Sequence, residues 1–426
     1  MSLFNPSPGR GLTLPPFRAP VRQGLAENWQ QFSILLLVNA FVGGMVGMER
    51  TILPEFARHE FLLVAKSAIL SFIIVFGFTK AAGNYFAGFL ANRIGRKNLL
   101  VAGWIVALPI PFLLIYAGSW NWVILANMLL GINQGLCWSS TVVMKIDLVG
   151  ENNRGFAMGL NEFSGYLAVA LVALFSGYIA NRYGLRPWPF VIGIVLSIAG
   201  LGSSIFLVED TAKFKAQENL TSTVLPLRNV FLDTSFRHGN LSAVSQAGMI
   251  NNLNDGMVWG LLPVLLIGKG YNLSQIGLIV FIYPAVWGLA QLFTGRLADL
   301  FCKKTLLFWG MAMQAISILL LIYANLEIHF IFISVALGLG TALVYPTFIT
   351  AIATDTNPDQ RAESIGIFRL WRDSGYAFGA ILSGILADWL GISYAIGAIG
   401  LLTLFSAAVI QVRMSCPVKP YLCGNE

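Results

Sequence analysis

Charge is scarce in this chain. Only 11% of its 426 residues are Asp, Glu, Lys or Arg, against about 25% in a soluble globular domain. With 56% hydrophobic residues and a mean hydropathy of +0.72, an ordinary water-soluble fold is excluded. Histidine is nearly absent (His59, His238, His329), and the four cysteines (Cys137, Cys302, Cys416, Cys423) are scattered. No metal-ligand cluster can be read from them, so neither a metal nor a cofactor is expected, and no disulfide framework. A Gly-x-Ser-x-Gly elbow and a Gly-rich phosphate loop ending in Lys-Ser or Lys-Thr are both missing, which argues against an enzyme and against ATP-driven transport. The formal charge of +7 does not call for nucleic acid, because basic loops mark one face of a membrane protein. The proline- and arginine-containing start lacks the apolar core of a cleavable signal and reads as a disordered cytoplasmic tail.

What is present is a series of apolar stretches long enough to cross roughly 30 Å of hydrocarbon. They fall at 30–52, 62–88, 98–117, 121–145, 156–180, 188–207, 239–267, 274–295, 305–323, 328–352, 364–388 and 392–412. Twelve spans place both termini on one side. Seventeen Lys and Arg outside the spans lie on that side, against Arg58, Arg182, Arg186 and Lys269 on the other, so the termini are expected in the cytoplasm. The polar segment 208–238 divides the chain into tail 1–29, bundle 30–207, central loop 208–238, bundle 239–412 and tail 413–426. The halves repeat at a constant offset of 207. Gly88 matches Gly295, Lys97 matches Lys304, Leu130-Gly131 matches Leu337-Gly338, and Arg154 and Gly159 match Arg361 and Gly366. Parallel six-helix repeats place a binding site between the halves near the midplane.

Between the second and third spans stands Gly88-Phe89-Leu90-Ala91-Asn92-Arg93-Ile94-Gly95-Arg96-Lys97, with a degraded copy, Gly295-Arg296-Leu297-Ala298-Asp299 and Lys303-Lys304, in the second half. This resembles the Gly-x-x-x-Asp-Arg-x-Gly-Arg-Arg/Lys signature of the major facilitator superfamily, and with the repeat the resemblance covers essentially the whole chain. It implies an all-α membrane protein, with twelve transmembrane helices in two pseudo-symmetric six-helix bundles. It also implies alternating access, and a cytoplasmic gate drawing on Gly88, Asn92, Arg93, Gly95, Arg96, Asp147, Arg154, Asp299 and Arg361. Asn92 stands where the family carries an acid, so it can hydrogen-bond but cannot form a salt bridge. The alternative for the acid–base residues is a set of ordinary surface pairs, worth ~0–1 kcal/mol each.

Polar residues inside the spans form stripes. Charged groups at membrane depth cost at least ~2.5 kcal/mol each, so they face a protein interior or a water-filled cavity. Arg369, Arg372, Asp373 and Tyr376 recur at i, i+3, i+4 and i+7, on one helical face. In the fourth span Asn127, Gln134, Trp138, Thr141 and Lys145 share a face. Thr341 and Tyr345 are the offset partners of Gln134 and Trp138. Asn251, Asp255 and Trp259 follow by fours in the seventh span, and Asn39 and Glu49 lie in the first. The resemblance makes spans one, four, seven and ten cavity-lining. Candidates for the solute cavity are therefore Asn39, Gln134, Trp138, Asn251, Trp259, Thr341, Tyr345, Arg369, Arg372 and Tyr376; helix packing with a few polar contacts is the alternative. Glu49, Glu162, Asp255 and Asp373 are candidates for proton coupling, since burial favours the neutral form of a carboxyl group and suits it to proton exchange. Structural pairing is the alternative for Glu49, with Arg50 or Lys66, for Glu162, with Arg369 or Lys80, and for Asp373, with its neighbouring arginines, whereas Asp255 has no basic neighbour in its own span.

The expected function is secondary transport of a small solute, driven by protons, as symport or antiport. The alternatives are an uncoupled facilitator and a non-transporting sensor or scaffold. A slight excess of basic residues in the spans leans toward an anionic or zwitterionic solute. The expected partners are that solute, protons and the lipid bilayer, without nucleic acid. The expected form is a monomer in a bacterial inner membrane.

Overall fold

The computed structural model describes residues 22–50, 52–53, 56–57, 60–62, 66–150, 153–214, 224–271 and 273–416. Most of both expected tails, residues 215–223 of the central segment, and the side chains of Arg50 and Lys66 lie outside the described residues. Within them the chain forms twelve main helices, the third of them broken in two. The first six are α1 (Trp29–Arg50), α2 (Lys66–Ile94), α3 (Arg96–Ala107, continued by Pro109–Ile115), α4 (Trp120–Val149), α5 (Arg154–Tyr183) and α6 (Trp188–Phe206). A short turn of helix, Val230–Leu232, and a π turn, Asp233–Arg237, lead into the second six. These are α7 (Gly239–Gly268), α8 (Leu273–Leu300), α9 (Lys303–Leu321), α10 (Glu327–Asp355), α11 (Arg361–Leu390) and α12 (Ile392–Arg413). The break in α3 falls at Pro109, where the ring and the missing N–H interrupt the ladder. Helices α2 and α8 run past their expected ends, because the polar turns around Asn92 and Asp299 stay helical beyond the apolar stretch.

The distribution of polarity is that of a membrane protein. Large apolar side chains face outward, with Phe206 83%, Trp389 82% and Phe293 74% exposed, while Lys145, Asp255, Arg369 and Asp373 are fully buried. Eight of the described helices are long and apolar enough to span a bilayer by length and composition alone. Helices α4, α7, α8 and α11 are not among the eight; buried polar and charged side chains such as Gln134, Lys145, Asn251, Asp255, Arg369 and Asp373 lie on α4, α7 and α11.

The two bundles pack alike. Helix α1 lies on α5 and α6, as α7 lies on α11 and α12. Helix α4 holds α2 and α3, as α10 holds α8 and α9. The bundles meet along two seams, α2 against α11 and α5 against α8. Glycine makes both seams possible. A Cβ on Gly88 would stand 2.5 Å from the Ala362 carbonyl and 2.9 Å from the Gly366 Cα. A Cβ on Gly295 would stand 2.6 Å from the Gly155 carbonyl and 2.9 Å from the Gly159 Cα. The two crossings are related by the same 207-residue offset as the sequence repeat.

One expectation is corrected. Cys302, just before α9, and Cys416, just after α12, form a disulfide with Cα atoms 5.9 Å apart. They are separated by 114 residues, and only the packing of α9 on α12 brings them together.

Candidate functional site

The seam between the bundles is organised in three layers. The first is a cavity of about 250 Å³ at the end opposite the termini. Its wall is largely apolar and aromatic, from Phe72 and Phe76 of α2 and Trp259 of α7. Glu49 of α1, Asn127 of α4 and Tyr376 of α11 supply its polar groups. Asn127 donates to Glu49 Oε2 at 3.4 Å. Behind Tyr376, whose hydroxyl donates to Asp255 Oδ2 at 3.4 Å, the Asp255 carboxylate also accepts a short hydrogen bond from Tyr283 of α8. Tyr283 lies 3.1 Å from Thr341 Oγ1 of α10.

The second layer is buried and crosses both bundles. Asp373 accepts from Arg372 Nε and Nη2 at 2.9 and 2.7 Å, from Asn252 at 3.1 Å, and from Asn84 of α2 at 2.5 Å, with Lys80 Nζ at 3.9 Å. Lys80 and Asn84 are one helical turn apart on α2, which aims both at α11. Glu162 accepts from Asn161 at 2.7 Å and from the Trp138 indole at 3.3 Å, and lies 4.0 Å from Arg369 Nη2. Lys145 donates to Asn161 Oδ1 at 2.5 Å, and Asn39 donates to the Asn161 carbonyl at 2.9 Å. Arg369 is 0% exposed, and all three of its guanidinium nitrogens are without a hydrogen bond among the described residues. Tyr166 and Tyr345 join the bundles hydroxyl to hydroxyl at 2.8 Å. Their rings pack with Trp287, and Arg372 lies 4.7 Å over the Tyr345 ring.

The third layer closes the end that carries the termini. Asp299 of α8 accepts the Gly155 and Phe156 N–H groups at 2.7 and 2.9 Å, so an acid from one bundle caps the α5 N-terminus of the other. Asn92 donates to the Asp359 carbonyl at 2.7 Å across the other seam. Asp147 lies 3.3 Å from Arg96 and accepts from Thr211 at 2.7 Å, within its own half. Arg154 reaches the Ala353 carbonyl at 3.3 Å across the seam. Arg361 is buried at the start of α11, next to Ala362 at the Gly88 crossing, and Gly95, with φ 87°, makes the turn from α2 into α3. Arg93 is exposed and lies over the Phe89 ring at 4.2 Å.

The candidates thus separate by depth. Glu49, Trp259 and Tyr376 line the open cavity, with Asp255 and Thr341 behind it. Asn39, Trp138, Glu162, Tyr345, Arg369, Arg372 and Asp373 lie in the buried layer, and Gln134 donates to the Val42 carbonyl at 2.7 Å. Asn251 is a correction. Expected on the cavity face, it accepts from Gln314 of α9 at 3.0 Å, inside its own bundle. Steps of four residues rotate about 40° each, so Asn251 and Trp259 point well apart. Asn84, Asn161, Tyr283 and Trp287 were not among the expected site residues. Asn84 stands one turn from Lys80 and could have been found by that spacing, whereas Tyr283 and Trp287 sit in an apolar stretch that reads as lipid-facing.

Two parallel bundles that meet at a polar seam, with a cavity toward the end opposite the termini and cross-bundle contacts at the other, form the architecture of a secondary transporter. The chain belongs to the Major Facilitator Superfamily, whose family model matches residues 34–247 and 244–420. Among curated relatives, the proton-coupled antiporter flippase LtaA of Staphylococcus saprophyticus subsp. saprophyticus is 24% identical over 376 residues, covering 85% of this chain and 88% of that protein. LtaA of Staphylococcus aureus is 26% identical over 359 residues, covering 79% and 86%. The fold is also that of the human organic anion transporter MFSD10 (TETRAN), with a TM-score of 0.74, 14% identity, and 90% and 99% of the two chains covered. The proton:xylose symporter XylE gives a TM-score of 0.71 at 14% identity, with 90% and 96% covered.

Proposed function

We propose that this transporter couples solute movement to protons, with the bundles 30–207 and 239–412 rocking about the buried layer. The observation that carries this reading is the hydrogen-bonded and ionic layer shared by both bundles, Lys80 and Asn84 with Asp373 and Glu162 with Arg369, beneath a cavity open to one end. Moving the bundles must break these contacts, and protonating Asp373 or Glu162 weakens them. The names of the staphylococcal relatives and of XylE, all proton-coupled, support the same reading. Asp255, gripped by two phenols one hydrogen bond behind the cavity-lining Tyr376, is the proposed site of proton exchange with the cavity.

The seventeen Lys and Arg outside the spans on the terminal side, against four on the other, support cytoplasmic termini in an inner membrane, and a monomer is proposed. The gate reading for Asn92, Arg96, Asp147, Arg154, Asp299 and Arg361 is supported by their clustering at the closed end. Of the four cations in the buried layer, Lys80 and Arg372 serve Asp373, and Lys145 is held by Asn161. Support for an anionic group on the solute therefore rests on Arg369.

In proteoliposomes, Asp255→Asn is expected to abolish accumulation driven by a proton gradient while solute exchange continues. Unchanged concentrative uptake by Asp255→Asn removes its coupling role.

A further inference from the structure

Three exposed arginines gather at one corner of the terminal end, away from the buried layer and from the seams. Arg228 and Arg237 flank the turn that leads into α7, and Arg413 ends α12. Arg413 Nη2 donates to the Phe236 carbonyl at 2.7 Å, which sets it beside Arg237. Arg228, Arg237 and His238 line one cleft, and His238 and Arg413 line the cleft next to it. The α7 N-terminus opens into the second cleft through Gly239 and Asn240, adding the positive end of a helix. Two acids share these walls, and both are engaged. Asp355 accepts from Asn240 at 2.7 Å, and Asp233 accepts the Asn229 N–H at 3.0 Å.

Beside these cations stand side chains of the opposite character. Leu225 is 83%, Phe236 55% and Val412 83% exposed. Phe236 rests edge-on against Trp371 of α11 at 5.8 Å, and the Trp371 indole donates to Ser235 at 2.9 Å. Exposed apolar groups next to arginines, at the outer side of α11 and α12, suit a membrane interface. There the apolar groups enter the acyl region and the cations stay at headgroup level. The corner is not a by-product of the fold. At the offset of 207, Arg237, His238 and Arg413 align with Gln30, Gln31 and Phe206, so the first bundle makes the corresponding corner without these charges.

From this juxtaposition we propose that the corner binds the headgroup of an anionic phospholipid. Arg228, Arg237 and Arg413 face the phosphate, and Phe236 and Val412 lie against the upper part of the acyl chains. Guanidinium forks match phosphate oxygens, and basic pockets beside transmembrane helices recognise acidic headgroups. A soluble phosphate would gain nothing from the exposed Leu225, Phe236 and Val412, and this favours a lipid.

The proposal stands apart from the transport reading, because it concerns lipid held at the perimeter and not solute between the bundles. Purified protein in phosphatidylcholine nanodiscs containing a photoactivatable phosphatidylglycerol is irradiated, and the adducts are mapped by mass spectrometry. Adducts are expected within 224–238 and 411–416. Selectivity is read by native mass spectrometry, as phosphatidylglycerol retained relative to phosphatidylcholine from an equimolar mixture. Arg228→Gln/Arg237→Gln should lower that ratio at least about fivefold, the effect of a single cation near an acidic surface. Lys303→Gln/Lys304→Gln removes the same charge from the same end and should leave the ratio unchanged. Phe236→Ala should reduce retention of both lipids. Thermal unfolding checks each variant, and adduct mapping on the unaltered protein stands even where a variant does not fold. Adducts confined to other segments, or an equal loss of selectivity in the two double variants, overturn the proposal. Displacement of the lipid by sn-glycerol 3-phosphate would make this a site for soluble phosphates and overturns the lipid assignment.

Discussion

Arg372 and Asp373 are sequence neighbours, and neighbours on a helix point about 100° apart. They nevertheless form the shortest ion pair of the buried layer, because the long arginine folds back and presents Nε and Nη2 together to one carboxylate oxygen. Lysine has no such fork. Arg372→Lys is therefore expected to fold, with a lowered melting temperature and weakened transport, read by thermal unfolding and uptake on one preparation. Arg369 is in the opposite situation, fully buried with one ion-pair partner at 4.0 Å. Arg369→Ala should destabilise by about 3–5 kcal/mol through the stranded Glu162 carboxylate, and Arg369→Ala/Glu162→Ala should recover much of the loss. An additive double mutant would show that the two groups do not interact. For Glu162 the sequence offered Arg369 and Lys80 as partners without choosing between them, and only the packing brings Arg369 to 4.0 Å. The Lys80–Asp373 and Asn84–Asp373 contacts were not legible in the sequence, since no pattern along one chain says which face of α2 meets α11.

At the scale of helices, the closed end depends on backbones in contact. Gly88 lies against Gly366, and Gly159 against Gly295, so any side chain at these points wedges the seam. Gly88→Val is expected to hold the terminal end apart. Spin labels at the exposed positions Asn98 and Leu300, one in each half, should then report a longer distance. An unchanged distance distribution would show that the crossing yields elsewhere. Asp299 adds a cap to the same end. Asp299→Ala should cost about 0.5–2 kcal/mol, the range for lost helix caps, and bias the protein away from this closed arrangement in the same spin-label measurement. The motif around Gly88 and its copy around Gly295 were visible as a repeat in the sequence. That their glycines serve close approach to the opposite bundle follows only from the packing.

For the whole molecule, twelve crossings and the distribution of Lys and Arg make two expectations testable. A reporter fused after Glu426 should read cytoplasmic and one inserted at Gly118 external; the reverse pattern would invert the assigned orientation. The Cys302–Cys416 bridge joins two parts of the same bundle and spans neither seam. Its reduction should expose two further cysteines to alkylation and leave transport intact. A large loss of transport on reduction would mean that the position of the segment after α12 controls the gate.

By itself the sequence determined the class of molecule. Long apolar stretches must lie in lipid, polar stripes within them must face inward, and a constant offset between halves makes a two-bundle transporter. Those properties are periodic along the chain and need no knowledge of contacts. The tertiary structure alone decided which charges pair, that Asn251 turns to α9 and that Cys302 finds Cys416. Each depends on the rotation and depth of one helix against another. Side-chain packing across the seams sets those quantities, and the order of residues along any single helix does not encode them.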